Sequence, residues 1–178
     1  YCGFPISPYA AAKMSSESFI SAYSFMYGIQ SWICRFPNVV GERVTHGAIF
    51  DFVNRKDLSK IVVKGNGTQT KPFMYVKELV DAMIFIWQNA KEKVNLYNIA
   101  GIGESTVKFI AESIPGNPKI EYGKEDRGWN GDVPKYKCDI SRLKNLGWSP
   151  RMTSDEAVKL AIRNIYDEIR VRMRKQTN

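Results

Sequence analysis

The sequence has little with which to build a metal centre or a disulfide framework. Its single histidine, His46, rules out a multi-histidine site. Cys2, Cys34 and Cys138 are odd in number, widely spaced and never in a C-x-x-C arrangement, so neither zinc nor paired disulfides are expected. No apolar run approaches the roughly 18 residues of a membrane span, and the first residues set no basic stretch ahead of an apolar one. No membrane contact is expected, and the expected location is the cytoplasm. Internal repeats and low-complexity segments are also missing.

What remains is the composition of a folded domain, 44% hydrophobic and 25% charged over 178 residues, too apolar for disorder. The net charge of +8 raises the question of nucleic acid. Much of that excess lies in the terminal "RVRMRKQTN", however, and no stretch interleaves basic and aromatic residues as a base-stacking platform would. The charge reads instead as a solvated face or an attraction for a small anion, and no nucleic-acid partner is expected.

Helical and strand patterns alternate along the chain. Three alanines and a three- and four-residue apolar spacing predict a helix from Tyr9 to about Tyr27, with Pro8 before it and Gly28 as its stop. "QSWICRF" reads as a buried strand whose end delivers Asn38 into a loop. A helix over "GAIFDFVNRK" follows, then two strands around the glycine-rich turn of "KIVVKGNGTQTKPFMYV". Next come a helix over "KELVDAMIFIWQNA", a strand over "NLYNIA" and a capped helix over "STVKFIAESI". "GKEDRGWNGDVPKY" is polar and aperiodic, a loop long enough to imply a task. A short helix over "DISRLKNLGW" and a long one from Ser154 close the chain, the latter docking through Ala157, Leu160, Ala161 and Ile165. Trp32, Phe73, Trp87 and Trp148 fall in or beside apolar runs and are expected in the core. The alternation makes the class α/β.

The chemistry-bearing motif is "YAAAK". One helical turn sets the Tyr9 hydroxyl and the Lys13 ammonium on the same face. A neighbouring cation favours phenolate over phenol, which makes a tyrosine usable as acid and base near neutral pH. Such a pair also arises on helices by chance, and alone it does not decide between the two readings.

Its surroundings do. "PISPYAAAKMSSE", "CRFPNVVGER", "VVKGNGTQTKPFMYVKELVDAM", "LYNIAGIGESTVKFIAESI" and "RGWNGDVPKYKCDISRLKNLGWSPRMTSDEAV" stand in one order. Together they resemble the extended short-chain dehydrogenase/reductase family in its nucleotide-sugar epimerase and dehydratase branch, over nearly the whole chain. The resemblance implies the C-terminal part of a Rossmann-type doubly wound parallel sheet plus a small α/β substrate-binding domain. Residues 1–45 and segments near 72–100 would belong to the NAD-binding side, and 46–71 and 101–178 mainly to the substrate side. It also implies that Tyr9 is the acid/base, that Lys13 holds the nicotinamide ribose and supports the phenolate, and that Phe36 and Pro37 lie beside the nicotinamide. Asn38, Lys71, Arg127 and Asp132 match substrate-binding positions: diphosphate for Asn38, Lys71 and Arg127, ribose for Asp132. Lys71 and Pro72 stand where the family usually carries Arg and Asp, and a lysine cannot make the bidentate fork.

The expected cofactor is NAD, the expected partner a nucleotide sugar, and a homodimer through the Tyr9 helix is a further implication. The glycine-rich strand–turn–helix that approaches the NAD pyrophosphate in such enzymes has no counterpart here. "GIGEST" lacks the third glycine and follows the wrong strand, so it reads as a turn, as does "GNGTQT". The expectation is a C-terminal portion of an epimerase. A 4,6-dehydratase, which shares the first half of the chemistry, and a non-catalytic nucleotide-sugar binder stand as alternatives.

Overall fold

The computed structural model describes residues 3–55, 57, 59–129 and 131–176, with side chains as far as 169; Cys2 lies outside the described residues. The first helix, α1, runs Pro8–Tyr27. The Ser7 hydroxyl accepts from the Ala10 N–H at 3.2 Å, Pro8 occupies the first turn where no N–H is needed, and Gly28 ends the helix in the left-handed region at φ 69°.

Strands β1 (Ser31–Arg35) and β2 (Asn38–Val40) follow. Asn38 therefore opens a short strand, where the turn chemistry of "PNVVGER" predicts a loop; pairing with a later strand overrides it. Helix α2 covers only Ala48–Val53. The glycine-rich segment holds three strands instead of two, β3 (Lys60–Val63), β4 (Thr70–Lys71) and β5 (Phe73–Tyr75). Then come α3 (Val76–Asn89), β6 (Val94–Asn98), β7 (Ser105–Thr106) and α4 (Val107–Glu112), the last capped by Thr106, whose hydroxyl accepts from Phe109 N–H at 3.0 Å. Strand β8 (Lys119–Tyr122), absent from the sequence reading, precedes the long loop at 123–137. Helices α5 (Ser141–Leu146) and α6 (Ser154–Gln176) complete the chain.

Among the described residues β1 pairs with β6, β2 with β5 and β3 with β8, all parallel, and β4 with β7 antiparallel. Parallel pairs joined by helices are the signature of an α/β fold, as expected. The register Ile33↔Leu96 and Val39↔Met74 lines the strands up along one direction.

Strand β5 separates two apolar cores. Its three residues are all buried, and their side chains alternate between faces as a strand's must. Phe73 and Tyr75 join Ile61, Ile110, Val158 and Ile165, whereas Met74 joins Leu79, Ile86, Tyr97, Leu143 and Trp148. Helix α6 docks on the first core through Ala157, Ala161 and Ile165, with Leu160 packed at its margin, as its spacing predicts. Phe73 and Trp148 are buried and Trp32 packs against the second core. Trp87 is 58% exposed, so the periodicity that placed it inside belongs to the outer face of α3.

Candidate active site

Tyr9 stands in the first turn of α1, where the helix start faces open space, and is 72% exposed. The Lys13 ammonium lies 5.5 Å from the centre of its ring, the placement that a four-residue helical spacing dictates. The helix is tied to β1 by Glu17: its Oε1 accepts from Arg35 Nε at 2.7 Å, and its other oxygen accepts from the Arg35 Nη2. The buried Ser24 hydroxyl adds a second tie, 2.8 Å from both Ile20 O and Ser31 Oγ. These contacts set the turn bearing Tyr9 beside the C-terminal end of a parallel strand, where open α/β sheets bind ligands.

A cavity of about 1140 Å³ opens there, and Tyr9, Phe36, Pro37, Asn38, Lys71 and Asp132 all line it. Six of the predicted site residues, drawn from α1, the β1–β2 junction, β4 and the long loop, thus share one cavity. Lys13 and Arg127 are not part of its wall. Arg127 is half exposed and its Nε donates to Asp126 at 3.1 Å.

Lys71 donates to the Asp132 carboxylate, and the second Asp132 oxygen accepts from the Gly128 N–H at 3.0 Å. Burial pushes the Asp132 carboxyl up, but the Lys71 and backbone donors outweigh it and hold it below the ordinary carboxylate value. Asp132 therefore fastens the long loop over β4 while remaining charged. Asn38 Nδ2 reaches Pro72 O and Tyr136 Oη, each at 3.5 Å, and burial pushes the Tyr136 phenol up to about 12. His46, left unassigned by its sequence position, lines the same cavity beside Thr45, whose Oγ1 is 3.4 Å from Nδ1.

The first glycine of "GNGTQT" serves packing. A Cβ on Gly65 would meet Gln69 Nε2 at 2.3 Å and Arg127 O at 2.9 Å, so the turn is flattened against the long loop. Gln69 is itself buried at the cavity wall, donates to Lys64 O at 3.0 Å, and its Oε1 has no partner among the described residues. Gly101 of "GIGEST" has Phe73 O and Met152 O at 3.1 and 3.2 Å from the position of an added Cβ. Both turns are structural, as read from their spacing.

Sequence reasoning passed over a second polar cluster. Glu42 Oε1 accepts from Tyr75 Oη at 2.7 Å, Lys77 Nζ at 3.0 Å and Asn164 Nδ2 at 3.3 Å, and Tyr75 Oη also accepts from Asn164 at 2.9 Å. Donation from Tyr75, with help from Lys77, draws the Glu42 carboxyl down to about 2. This cluster anchors the cavity-lining segment at 44–48 to β5 and α6. Its members lie 33 and 122 residues from Glu42, so no local motif announces it. Trp129 was passed over too: it sits in a polar, aperiodic loop and lines the cavity, whereas the other tryptophans fall in periodic runs.

Among the described residues no group of acidic, histidine or cysteine side chains is placed to hold a metal ion, and no helix is long and apolar enough to cross a membrane. Tyr9, Phe36 and Pro37 share the cavity wall at the end of β1, with Lys13 one helical turn behind Tyr9, and no glycine-rich strand–turn–helix is present among the described residues.

Similarity to known proteins supplies the family. The sequence pattern described as the NAD dependent epimerase/dehydratase family matches residues 3–100. A Methanocaldococcus jannaschii protein named "Putative UDP-glucose 4-epimerase" is 31% identical over 169 residues, covering 89% of this chain and 53% of that protein. A human dTDP-D-glucose 4,6-dehydratase is 27% identical, covering 89% of this chain and 48% of that one. The crystal structure of a UDP-galactose 4-epimerase superposes with a TM-score of 0.83 at 30% identity, covering 93% of this chain and 56% of the other. The chain spans about half the length of the curated relatives it matches. With the family's pattern over more than half of its residues and the family's α/β fold around the cavity, the chain belongs to the NAD-dependent epimerase/dehydratase family.

Proposed function

We propose that this chain carries the acid/base pair and the substrate cavity of a UDP-sugar 4-epimerase. The observation that carries the reading is the convergence of Tyr9, beside Lys13, with Asn38, Lys71 and Asp132 on one cavity at the end of a parallel strand. Tyr9 would take the proton of the sugar 4-hydroxyl and later return it, with the Lys13 cation favouring the phenolate in between. Asn38 and Lys71 would hold the diphosphate, and Asp132 would accept from ribose hydroxyls. Arg127, turned toward Asp126, would join the phosphate only by changing partner. Lys13 and the Phe36–Pro37 backbone would hold the nicotinamide ribose of NAD, which when bound supplies reversible hydride acceptance at the sugar C4.

Residues 1–45 with segments near 72–100 form the NAD side in this reading, and 46–71 with 101–178 the substrate side. The division of buried residues by β5 supports this in part: Leu143 and Trp148 pack with the former group, and Val40, Phe73 and Tyr75 with the latter. A second copy paired through α1 is part of the proposal, supported by the exposed Phe19, Tyr23 and Met26 on that helix.

A 4,6-dehydratase is the second reading, favoured by the dehydratases among the relatives. The 31% and 30% identities to proteins named as 4-epimerases favour epimerisation. The 178-residue polypeptide by itself is expected to bind UDP-glucose without converting it, because the described residues supply only one end of an NAD site. NMR of the sugar anomeric protons during incubation with NAD checks this. Appearance of UDP-galactose would show that the chain alone is sufficient, and its loss in Tyr9→Phe would keep the acid/base assignment; a 4-keto-6-deoxy product would replace the epimerase reading with the dehydratase one.

A further inference from the structure

A large side chain on the cavity wall has no task in the fold or in the proposed chemistry. Trp129 lines the cavity together with Tyr9 and Asp132, is 60% exposed, and belongs to neither apolar core. An indole left in water on a loop gains nothing for folding, whereas one placed at a cavity wall offers a broad, stiff apolar face. The loop is built to present it. A Cβ on Gly131 would come 3.0 Å from the indole Cζ3, so the ring lies close against the bare backbone of that glycine. The same Cβ would be 3.6 Å from the carbonyl oxygen of Ile6, three residues ahead of Tyr9. Gly131 thus lies close both to the indole and to the Ile6 carbonyl, on the approach to Tyr9. Asp132, the next residue, is fixed by Lys71 and by Gly128 N–H, which holds the loop tip in place.

We propose that Trp129 is the wall against which the pyranose ring of a nucleotide sugar stacks, so that it selects sugar nucleotide over bare nucleotide. The inference rests on the nucleotide-sugar reading of the cavity. One face of a pyranose presents several C–H bonds whose hydrogens carry partial positive charge, and the indole face carries the complementary negative charge of its π system. The position near Tyr9 favours the sugar over the base, because Tyr9 in that reading addresses the sugar 4-hydroxyl.

The test titrates UDP-glucose and UDP separately into the protein and into Trp129→Ala, Trp129→Leu and Trp129→Phe, with far-UV circular dichroism to check folding. Roughly tenfold weaker UDP-glucose binding is expected for Trp129→Ala, with UDP unchanged, most of the affinity kept by Trp129→Phe and an intermediate loss in Trp129→Leu. Equal weakening of UDP and UDP-glucose would assign the indole to the nucleotide and overturn the proposal, as would no change in either. Saturation transfer from indole protons to pyranose protons in the unmodified protein is expected in parallel, and its absence despite UDP-glucose binding would contradict the stacking. If neither ligand binds the unmodified protein, the nucleotide-sugar reading fails first and takes this inference with it.

Discussion

The two long helices of this chain live by different rules. Along α6, Ala157, Val158, Ala161, Ile162 and Ile165 are almost wholly buried, and the helix packs chiefly against β5 and α2. Along α1 the only buried residue is Ser24, while Phe19, Tyr23, Phe25 and Met26 face solvent. Helix α6 is therefore a product of packing. Helix α1 relies on alanine propensity, a Ser7 cap, a glycine stop and two polar ties to β1. The proposed catalytic pair thus stands on the element least held by this chain's own core. A site is best placed on a rigid element, so α1 would gain most from the further contacts that the proposed NAD and second copy would supply.

The largest effect is expected from substitution in the core beneath α6. Ile165→Ala in α6 removes a side chain that is 2% exposed and is expected to lower stability by roughly 2–5 kcal/mol in urea unfolding, the range for buried large-to-small changes. Next comes the Glu42 cluster, which binds α6 to the cavity rim. Asn164→Ala leaves Tyr75 and Glu42 short of a donor and is expected to cost about 1–3 kcal/mol.

The same cluster predicts a pH signature. The folded-state Glu42 carboxyl lies at about 2 against an ordinary 4.5, so the folded state holds its proton more weakly than the unfolded chain does. Its stabilising contribution is complete above pH 4.5 and is lost as the pH falls from there toward 2. Urea midpoints measured across that window are expected to fall more steeply in the unmodified protein than in Glu42→Gln. Equal slopes would detach Glu42 from the acid response.

Smaller still is Glu17→Gln, which loosens α1 from Arg35. A loss of about 1 kcal/mol is expected, with faster amide exchange confined to α1. Uniform exchange across α1 and α6 would erase the difference between the helices. Phe19→Ser sits at the bottom of the scale, within about 0.5 kcal/mol in stability. In the proposed pairing through α1 it would weaken concentration-dependent self-association in sedimentation, and unchanged association would take α1 out of any contact between copies.

Much of this was legible beforehand. Elements with strong periodicity or clear punctuation, such as α1 between Pro8 and Gly28, and α6 from Ser154, emerged with nearly their observed limits. What local pattern did not disclose was pairing at a distance. Asn38 carries turn chemistry but is drawn into β2 by Phe73, 35 residues on, and β8 forms because Lys60–Val63 offers it a parallel edge. Trp87 shows the opposite failure, since helical periodicity locates an apolar stripe without saying whether anything covers it.

The candidate site divided the same way. Tyr9, Asn38, Lys71 and Asp132 were legible because their motifs stand in family order, and the structure brings them to one cavity. The Lys71–Asp132 pairing and the outward turn of Arg127 follow from how the long loop folds, which its aperiodic sequence does not encode locally.

Titration of isotope-labelled protein with UDP-glucose, followed through backbone amide chemical shifts, asks whether the proposed cavity binds a nucleotide sugar. Saturable shifts are expected, concentrated at Asn38, Lys71, Gly128 and Asp132 and at the first turn of α1. Shifts confined to the smaller cleft between α4 and α6, lined by Glu112, Lys159 and Asp167, or none at millimolar ligand, would contradict the proposed site.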